Sequence, residues 1–437
     1  MVSGHSIIST TGKPMKIRAL RGTKDILPGQ IEKWQYIERT SRKILENFGF
    51  SEIRTPTFES TFLFTRSIGQ TTDIVTKEMY TFQDSKRRSL TLRPEGTASI
   101  VRAWIEHRLT TPAKLYYLGP FFRYERPQAG RHREFFQIGA ETIGSDSPAS
   151  DAEIIALTVC LFKELGLKGL DVQLNSVGCS NCQPIYKLEL KNYFKDNLKE
   201  LCEDCQIRLT RNPLRILDCK NKGCQGHIAK APAISSYLCK SCVLHLKKVR
   251  DYLDGLNIVY SINPRLVRGF DYYTRTAFEV IDYRLGAKNA IAAGGRYDDL
   301  IADMGGPPTP AVGVALGVER LILALEAEGI EMPGEASIDV FVASLGEDAS
   351  LEASKLAYGL RQKDIGVQIN LGNRSLKGQM RLANRLRAKY VLIFGQNELA
   401  KGRVVLRNMA TGLQEELFLD GLEVEVVKRV KTTKNKE

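Results

Sequence analysis

The chain has no run of 18 or more apolar residues, so no segment reads as a membrane-crossing helix. Its first 15 residues, MVSGHSIISTTGKPM, are polar and lack an apolar core, so no secretory signal is expected and a cytoplasmic location is. There is no G-x-x-x-x-G-K-[ST] loop, and no G-x-G-x-x-G follows a strand pattern. Both absences argue against a P-loop ATPase and a Rossmann enzyme. Cysteine is scarce outside one window: eight of the nine fall in the 64 residues from Cys179 to Cys242, mostly as C-x-x-C. Without an export signal, that pattern favours metal over disulfides. Acidic residues are in deficit, with Asp+Glu 50 against Lys+Arg 63, for a net charge of +13. The excess points to an anionic partner, nucleic acid first.

What is present reads as a multidomain α+β protein. A chain of 437 residues predicts two or three domains. Residues 1–15 read as a flexible extension, with Met15 an alternative start. Apolar residues at Ile31, Trp34, Ile37, Ile44, Leu45 and Phe48 approximate a 3.6 period, predicting a helix that Gly49 ends. Strands are expected over Leu90–Leu92, Lys114–Leu118 and Phe135–Thr142, and helices over Ala98–His107 and Asp151–Leu165. Short strands with long loops predict an antiparallel α+β core. Composition turns Lys- and Cys-rich over 179–250, which reads as an insertion, mostly helical. Strands resume at Ala277–Asp282, Ala290–Ala293 and Val312–Leu316, before a helix at Val318–Ala327. The core is therefore 16–178 with 251–330. From Ile338 a β-α-β-α-β alternation predicts a three-layer α/β domain within 331–437, its tail from Lys428 frayed.

Chemistry concentrates in a few stretches. Phe121 to Gln137 carries Arg123, Arg126, Arg131 and Arg133 on a strand-loop-strand pattern. Guanidinium forks match phosphate oxygens, and Phe135 offers a ring for a base. Alone, the loop is equally a solvated hairpin tip. Ala292-Ala-Gly-Gly-Arg-Tyr-Asp-Asp admits close backbone approach to a ligand, or merely a tight turn. Gly313-Val-Ala-Leu-Gly-Val-Glu-Arg-Leu runs a strand into a helix with Arg320 in its first turn; alone, Arg320 is a surface residue.

Together these stretches resemble a class II aminoacyl-tRNA synthetase, specifically a histidyl-tRNA synthetase of bacterial type, over roughly residues 16–425. Arg21-Gly-Thr-Lys-Asp-Ile-Leu-Pro is similar to that family's opening signature. Phe50 to Pro56 resembles motif 1, Phe122-Arg-Tyr-Glu through Glu141 motif 2, and Gly313 to Leu321 motif 3. Leu266-Val-Arg-Gly-Phe-Asp-Tyr-Tyr-Thr and Ala293-Gly-Gly-Arg-Tyr-Asp resemble segments specific to the histidine enzyme.

The resemblance implies a homodimer that activates L-histidine with ATP and Mg²⁺, then charges tRNA(His). It implies Arg123 and Arg268 on the α-phosphate, Arg320 on the γ-phosphate, and Phe135 against adenine. Glu141 and Tyr273, beside Tyr272, would bond the imidazole, a donor at one nitrogen and an acceptor at the other. Glu95, Gly96, Thr97 and Gln137 would surround the α-ammonium; read without the resemblance, Arg93-Pro-Glu-Gly-Thr is a capped turn. Gln128 and Arg131 would meet the tRNA acceptor end. The C-terminal domain resembles the family's anticodon-binding domain, and Lys377, Arg381 and Arg385, spaced by four, share a helix face. Singly, each is a solvated charge. Cys179/Cys182, Cys202/Cys205, Cys219/Cys224 and Cys239/Cys242 could form two Cys₄ zinc sites or remain reduced thiols. Two rivals stay open. One is an inactive paralogue, such as the regulatory subunit assisting the first enzyme of histidine biosynthesis; the other is a non-enzymatic RNA-binding protein.

Overall fold

The computed structural model describes residues 17–434 apart from 70–71, 287–288, 335–336 and 373. The expected flexible extension, 1–15, lies outside the described residues. The chain divides into two compact units, one ending at Met332 and one beginning at Pro333.

The first unit is built on an eight-stranded sheet. Edge to edge its strands are Ser51–Glu52, Ala113–Phe122, Glu134–Ile143, Ala311–Gly317, Ala290–Arg296, Thr274–Ile281, Asp171–Ser176 and Ser261–Ile262. The six inner strands pair antiparallel, and only the two-residue edge strands pair parallel. Helices Ile31–Asn47, Pro148–Glu164 and Val318–Glu328 cover one face. They bury Trp34, Ile37, Ile155, Leu161, Leu321 and Leu325 against Ile138, Val280, Val312 and Leu316 of the sheet. Fully burying a side chain of this size stabilises by roughly 1.5–3 kcal/mol.

Helix Pro148–Glu164 starts cleanly because Ser147 accepts the N–H of Ala149 and Pro148 occupies the first turn. Its apolar residues run almost all round, so the helix is sandwiched, with Asp151 turned inward. Asp151 meets Arg296, whose Nε lies 3.2 and 3.1 Å from the two carboxylate oxygens. Both side chains are fully buried, and Arg296 also donates to the carbonyls of Ser145 and Ser147. A buried charge left unpaired costs several kcal/mol. The complete pairing therefore pins the end of the Ala290–Arg296 strand, and with it Tyr297.

Residues 179–239 form short helices, Cys182–Lys195, Glu203–Arg211 and Lys222–Lys230, around their own core of Tyr186, Leu190, Phe194, Leu209 and Ile228. There is no break at residue 250: one helix runs Lys240–Gly255 and drives Val249 and Leu253 into the main core.

The second unit has a five-stranded sheet in the order Val367–Ile369, Val340–Ser344, Tyr390–Phe394, Arg403–Asn408, Gln414–Phe418. The first three are parallel, joined through helices Glu347–Arg361 and Leu376–Arg385. The expected alternation continues into an antiparallel hairpin over 403–418 that the sequence pattern did not announce. The tail corrects the reading too. Helix Leu422–Lys434 takes in 428–434 of the stretch expected to fray, because Val426 and Val430 are buried in the core and hold it; 435–437 lie outside the described residues.

Candidate active site

One open cavity of about 550 Å³ lies in the first unit, within the roughly 300–1,000 Å³ of small-molecule sites. Glu95, Gly96, Thr97, Arg123, Phe135, Gln137, Glu141, Arg268, Tyr272, Tyr273 and Arg320 all line it. Five separate stretches of sequence converge there because the inner strands lie side by side.

The floor is a buried carboxylate. Glu141, on the Glu134–Ile143 strand, is 1% exposed. Thr97 Oγ1 donates to its Oε1 at 2.7 Å and the Tyr297 hydroxyl to its Oε2 at 2.5 Å. Its register partner on the next strand is Gly313. A Cβ at 313 would sit 1.6 Å from Glu141 Oε2, so only glycine leaves the carboxylate its place. Burial pushes Glu141 up from 4.5 to about 8, against the lowering by Tyr297 and Thr97.

Glu95 lies near the start of helix Thr97–His107, where its carboxylate accepts the N–H groups of Thr97 and Ala98 at 2.7 and 2.8 Å. Burial still raises its pKa, despite those donors. Gln137 Oε1 is buried without a partner, and so is the hydroxyl of Tyr117, another cavity residue. The Tyr117 ring is clamped between the backbones of Gly96 and Gly139, where an added Cβ would come within 2.3 and 2.2 Å of it. Tyr272 packs on Tyr273 at 4.7 Å and edge-on to Tyr297 at 5.7 Å.

Three arginines surround the opposite part. Arg123 donates from Nε to the Pro94 carbonyl at 2.9 Å and lies 5.2 Å from the Phe135 ring centre. Arg268 pairs with Glu279 and lies 5.7 Å from the Tyr273 ring. Burial opposes its charge, but Glu279 and Tyr273 raise its pKa overall. Arg320 donates to the Ala290 carbonyl. Burial, then the neighbouring charge of Arg131, bring it down to about 10. Three guanidinium groups converging on one cavity can serve as an anion site.

The other candidates lie at the cavity's loop, in the second unit and in the insertion. Arg131 reaches the cavity but is bonded to Glu125 at 2.6 Å, and Gln128 bridges back to Arg131 within the loop. Lys377, Arg381 and Arg385 are exposed on helix Leu376–Arg385 of the second unit. The cysteines form two separate quartets in the insertion. Sequence reasoning missed Tyr297, Tyr117 and Gly313 as site residues, though two of them sit in stretches it singled out. Arg208, Asp218 and Lys220 of the insertion also line the cavity, and nothing in the local pattern signals that.

The raised Glu141 carries a pH dependence. A group whose folded pKa exceeds its unfolded value contributes stability that is lost as pH rises. For Glu141 the loss runs from about 4.5 to about 8. Glu141→Gln has no such proton to lose. Its melting temperature relative to the unchanged protein should climb across that window by the equivalent of a few kcal/mol, at about 1.4 kcal/mol per pH unit. Parallel melting-temperature curves from pH 5 to 9 would sink the assignment of Glu141 as a buried, proton-binding carboxyl.

Comparison with known proteins gives the family. Residues 22–321 match the family described as "Histidyl-tRNA synthetase", and 339–429 match "Anticodon binding domain". A histidine–tRNA ligase of Halothermothrix orenii is 51% identical over 419 residues, covering 95% of this chain and 100% of that protein. One from Pelotomaculum thermopropionicum is 51% identical over 405 residues, covering 92% of this chain and 95% of that protein. The crystal structure of apo S. aureus histidyl-tRNA synthetase superposes with a TM-score of 0.79 at 39% identity, covering 94% of this chain and all of that one. The chain belongs to the histidyl-tRNA synthetase family.

Proposed function

We propose that the chain is an ATP-dependent histidine–tRNA ligase and that the cavity performs its chemistry. One observation carries the reading: the buried Glu141, with its two hydroxyl donors, opens on the same cavity as Arg123, Arg268 and Arg320. A polar, desolvated floor suits an imidazole, and a cationic wall suits a triphosphate.

L-Histidine enters with its ring towards Glu141 and Tyr273, and its α-ammonium towards Glu95, Thr97 and the unpartnered Gln137 Oε1. Adenine lies against Phe135. The histidine carboxylate, already ionised at pH 7, attacks the α-phosphorus, so no strong base is needed. Arg123 and Arg268 take the charge that builds on the α-phosphate oxygens, and Arg320 holds the γ-phosphate. The β- and γ-phosphates leave as pyrophosphate, giving histidyl-adenylate; a ribose hydroxyl at the 3′ end of tRNA(His) then attacks its acyl carbon, the histidyl ester forms, and AMP leaves. Mg²⁺, held by cavity carboxylates such as Glu125 and Glu279, would add charge neutralisation. Sites that bond a ligand's polar edge reject analogues lacking it by about 10⁴ or more.

Gln128 and Arg131 meet the acceptor end, and Lys377, Arg381 and Arg385 the anticodon arm. Phe58, Phe62 and Phe82 are exposed near Pro56, which supports a homodimer through the motif 1 region. Among the described residues no helix is long and apolar enough to cross a membrane, and a cytoplasmic location is part of the same reading. Structural zinc in the insertion completes the set of bound groups.

The rival paralogue is disfavoured. A chain from Bacillus halodurans described as an "ATP phosphoribosyltransferase regulatory subunit/histidyl-tRNA synthetase" shares the fold at a TM-score of 0.64 and 22% identity. That likeness reaches the fold alone, whereas the histidine–tRNA ligases are 51% identical over 95% and 92% of this chain. Histidine-dependent ATP–pyrophosphate exchange by the purified protein is the test. Absence of exchange with active tRNA and metal present would favour the paralogue.

A further inference from the structure

We propose that the insertion binds two zinc ions, each in a cage of four cysteines, and that the second cage fixes one wall of the cavity. The quartets are Cys179, Cys182, Cys239, Cys242 and Cys202, Cys205, Cys219, Cys224. Within each, the four sulfurs lie within 4.8 Å of one another. Individual separations are 3.6 Å for Cys179–Cys182, 3.9 Å for Cys179–Cys239, 3.9 Å for Cys182–Cys242 and 3.7 Å for Cys202–Cys219. A disulfide needs about 2.05 Å. A tetrahedron with Zn–S bonds of about 2.3 Å has edges of about 3.8 Å. The sulfurs therefore stand where the corners of a thiolate tetrahedron belong.

Local structure supports the charge such a cage carries. Each cysteine pair straddles a helix start: Cys182, Cys205, Cys224 and Cys242 lie in the first turns of helices Cys182–Lys195, Glu203–Arg211, Lys222–Lys230 and Lys240–Gly255. Their partners come just before. Two helix N-termini thus face each cage and would offset the negative charge of four thiolates around a metal ion. Backbone N–H groups point at the sulfurs as well. Cys239 donates to Cys182 Sγ at 3.1 Å, Cys202 to Cys224 Sγ at 3.2 Å, and Asn221 to Cys219 Sγ at 3.4 Å. Outer donors of this kind orient metal-bound thiolates. Four soft ligands in tetrahedral array select zinc among common divalent ions.

The two cages do different work. The first ties the insertion's entry at Cys179 to its exit at Cys239 and Cys242, closing its base. The second encloses the segment from Cys205 to Cys219. Arg208 in that segment pairs with Asp73 at 2.8 Å, and Asn212 donates to Asp271 at 2.7 Å. Arg215 donates to the backbone carbonyl of Arg268 at 3.0 Å. Asp218 and Lys220, flanking Cys219, reach the cavity directly. The second metal is therefore a positioning device for the arginine opposite the floor. This cavity role rests on the ligase reading; metal binding itself does not.

The test starts with protein purified under reducing conditions without chelator, and with thiol-reduced protein titrated with zinc against a chromophoric competitor. Two equivalents per chain are expected by both routes, and cobalt(II) in their place should give the charge-transfer and tetrahedral absorption of a tetrathiolate. One equivalent or none by both routes overturns the two-site assignment without needing any variant. Cys239→Ser with Cys242→Ser should lose one equivalent and lower the melting temperature while keeping the exchange constants within about twofold. Cys202→Ser with Cys205→Ser should lose the other and raise the KM for ATP about tenfold or more, with the fold intact by circular dichroism. Unchanged KM and kcat after loss of that ion overturn the cavity role. Two bound zinc ions in a protein with no exchange activity would sink the ligase reading and leave the cages standing.

Discussion

Arg268→Ala should lose adenylate formation by about 100- to 1,000-fold while histidine still binds, because its guanidinium acts on charge that exists fully only in the transition state. The geometry is already set for that task. Arg268 is held by Glu279 at one end and lies over the Tyr273 ring. Its carbonyl is held by Arg215. Its Nε is buried with no partner, a donor with hydrogen-bonding capacity to spend on a ligand. Removing the arginine also strands Glu279, so the variant should melt lower, and a rate loss must be measured on protein confirmed as folded. Arg268→Lys separates charge from shape: an ammonium keeps the charge but not the planar fork, so it should recover only part of the rate. The measurement is rapid-quench formation of adenylate from ATP and histidine beside equilibrium binding of histidine. A wild-type single-turnover rate in Arg268→Ala would falsify its placement on the α-phosphate.

How much of this was legible beforehand depends on the range over which the physics acts. Strands such as Glu134–Ile143 and Ala311–Gly317, and helices such as Thr97–His107, carry their signals locally in periodicity and caps, and the sequence reading placed each within a few residues. Site residues inside distinctive stretches were equally accessible through family resemblance. Tyr297 follows the glycine pair in one such stretch, yet its role becomes visible only when Glu141 arrives from another strand 156 positions away in sequence. Gly313 is the same kind of case. As a sequence feature it is a glycine in a strand; as a neighbour it is the space that Glu141 occupies. The pairing of the cysteines was also beyond spacing alone. Four C-x₂₋₄-C pairs permit several groupings, and the chain's return through helix Lys240–Gly255 decides that the outermost pairs meet. The tail helix Leu422–Lys434 was hidden for another reason. Its sequence is strongly charged, and two valines facing a core outweigh that composition.

The second large effect concerns the division at Met332. Ending the chain there should preserve histidine-dependent exchange and lower kcat/KM for tRNA charging on the order of 100-fold. Every residue lining the cavity, from Asp73 to Arg320, precedes the cut. Helix Val318–Glu328 is complete, and Met332 stays to cover the core it packs against. What leaves is a unit with its own two apolar cores, one on each side of its sheet. With it goes the basic face of helix Leu376–Arg385, where Lys377, Arg381 and Arg385 stand exposed while Gln379 and Ala383 turn inward. The salt dependence of tRNA binding should flatten as well, by roughly 0.7 to 0.9 in the slope of log K against log salt for every phosphate that no longer meets a cation. Full-length protein with Lys377→Glu, Arg381→Glu and Arg385→Glu gives the same comparison without truncation, since exposed side chains on one helix face can change sign with little cost to folding. Both proteins should exchange pyrophosphate at rates within a few-fold of the unchanged chain. Equal loss of exchange and charging, in protein still folded by circular dichroism, would mean that the second unit supports the cavity itself. Full charging by the triple variant would place the tRNA contacts on a different face of that unit.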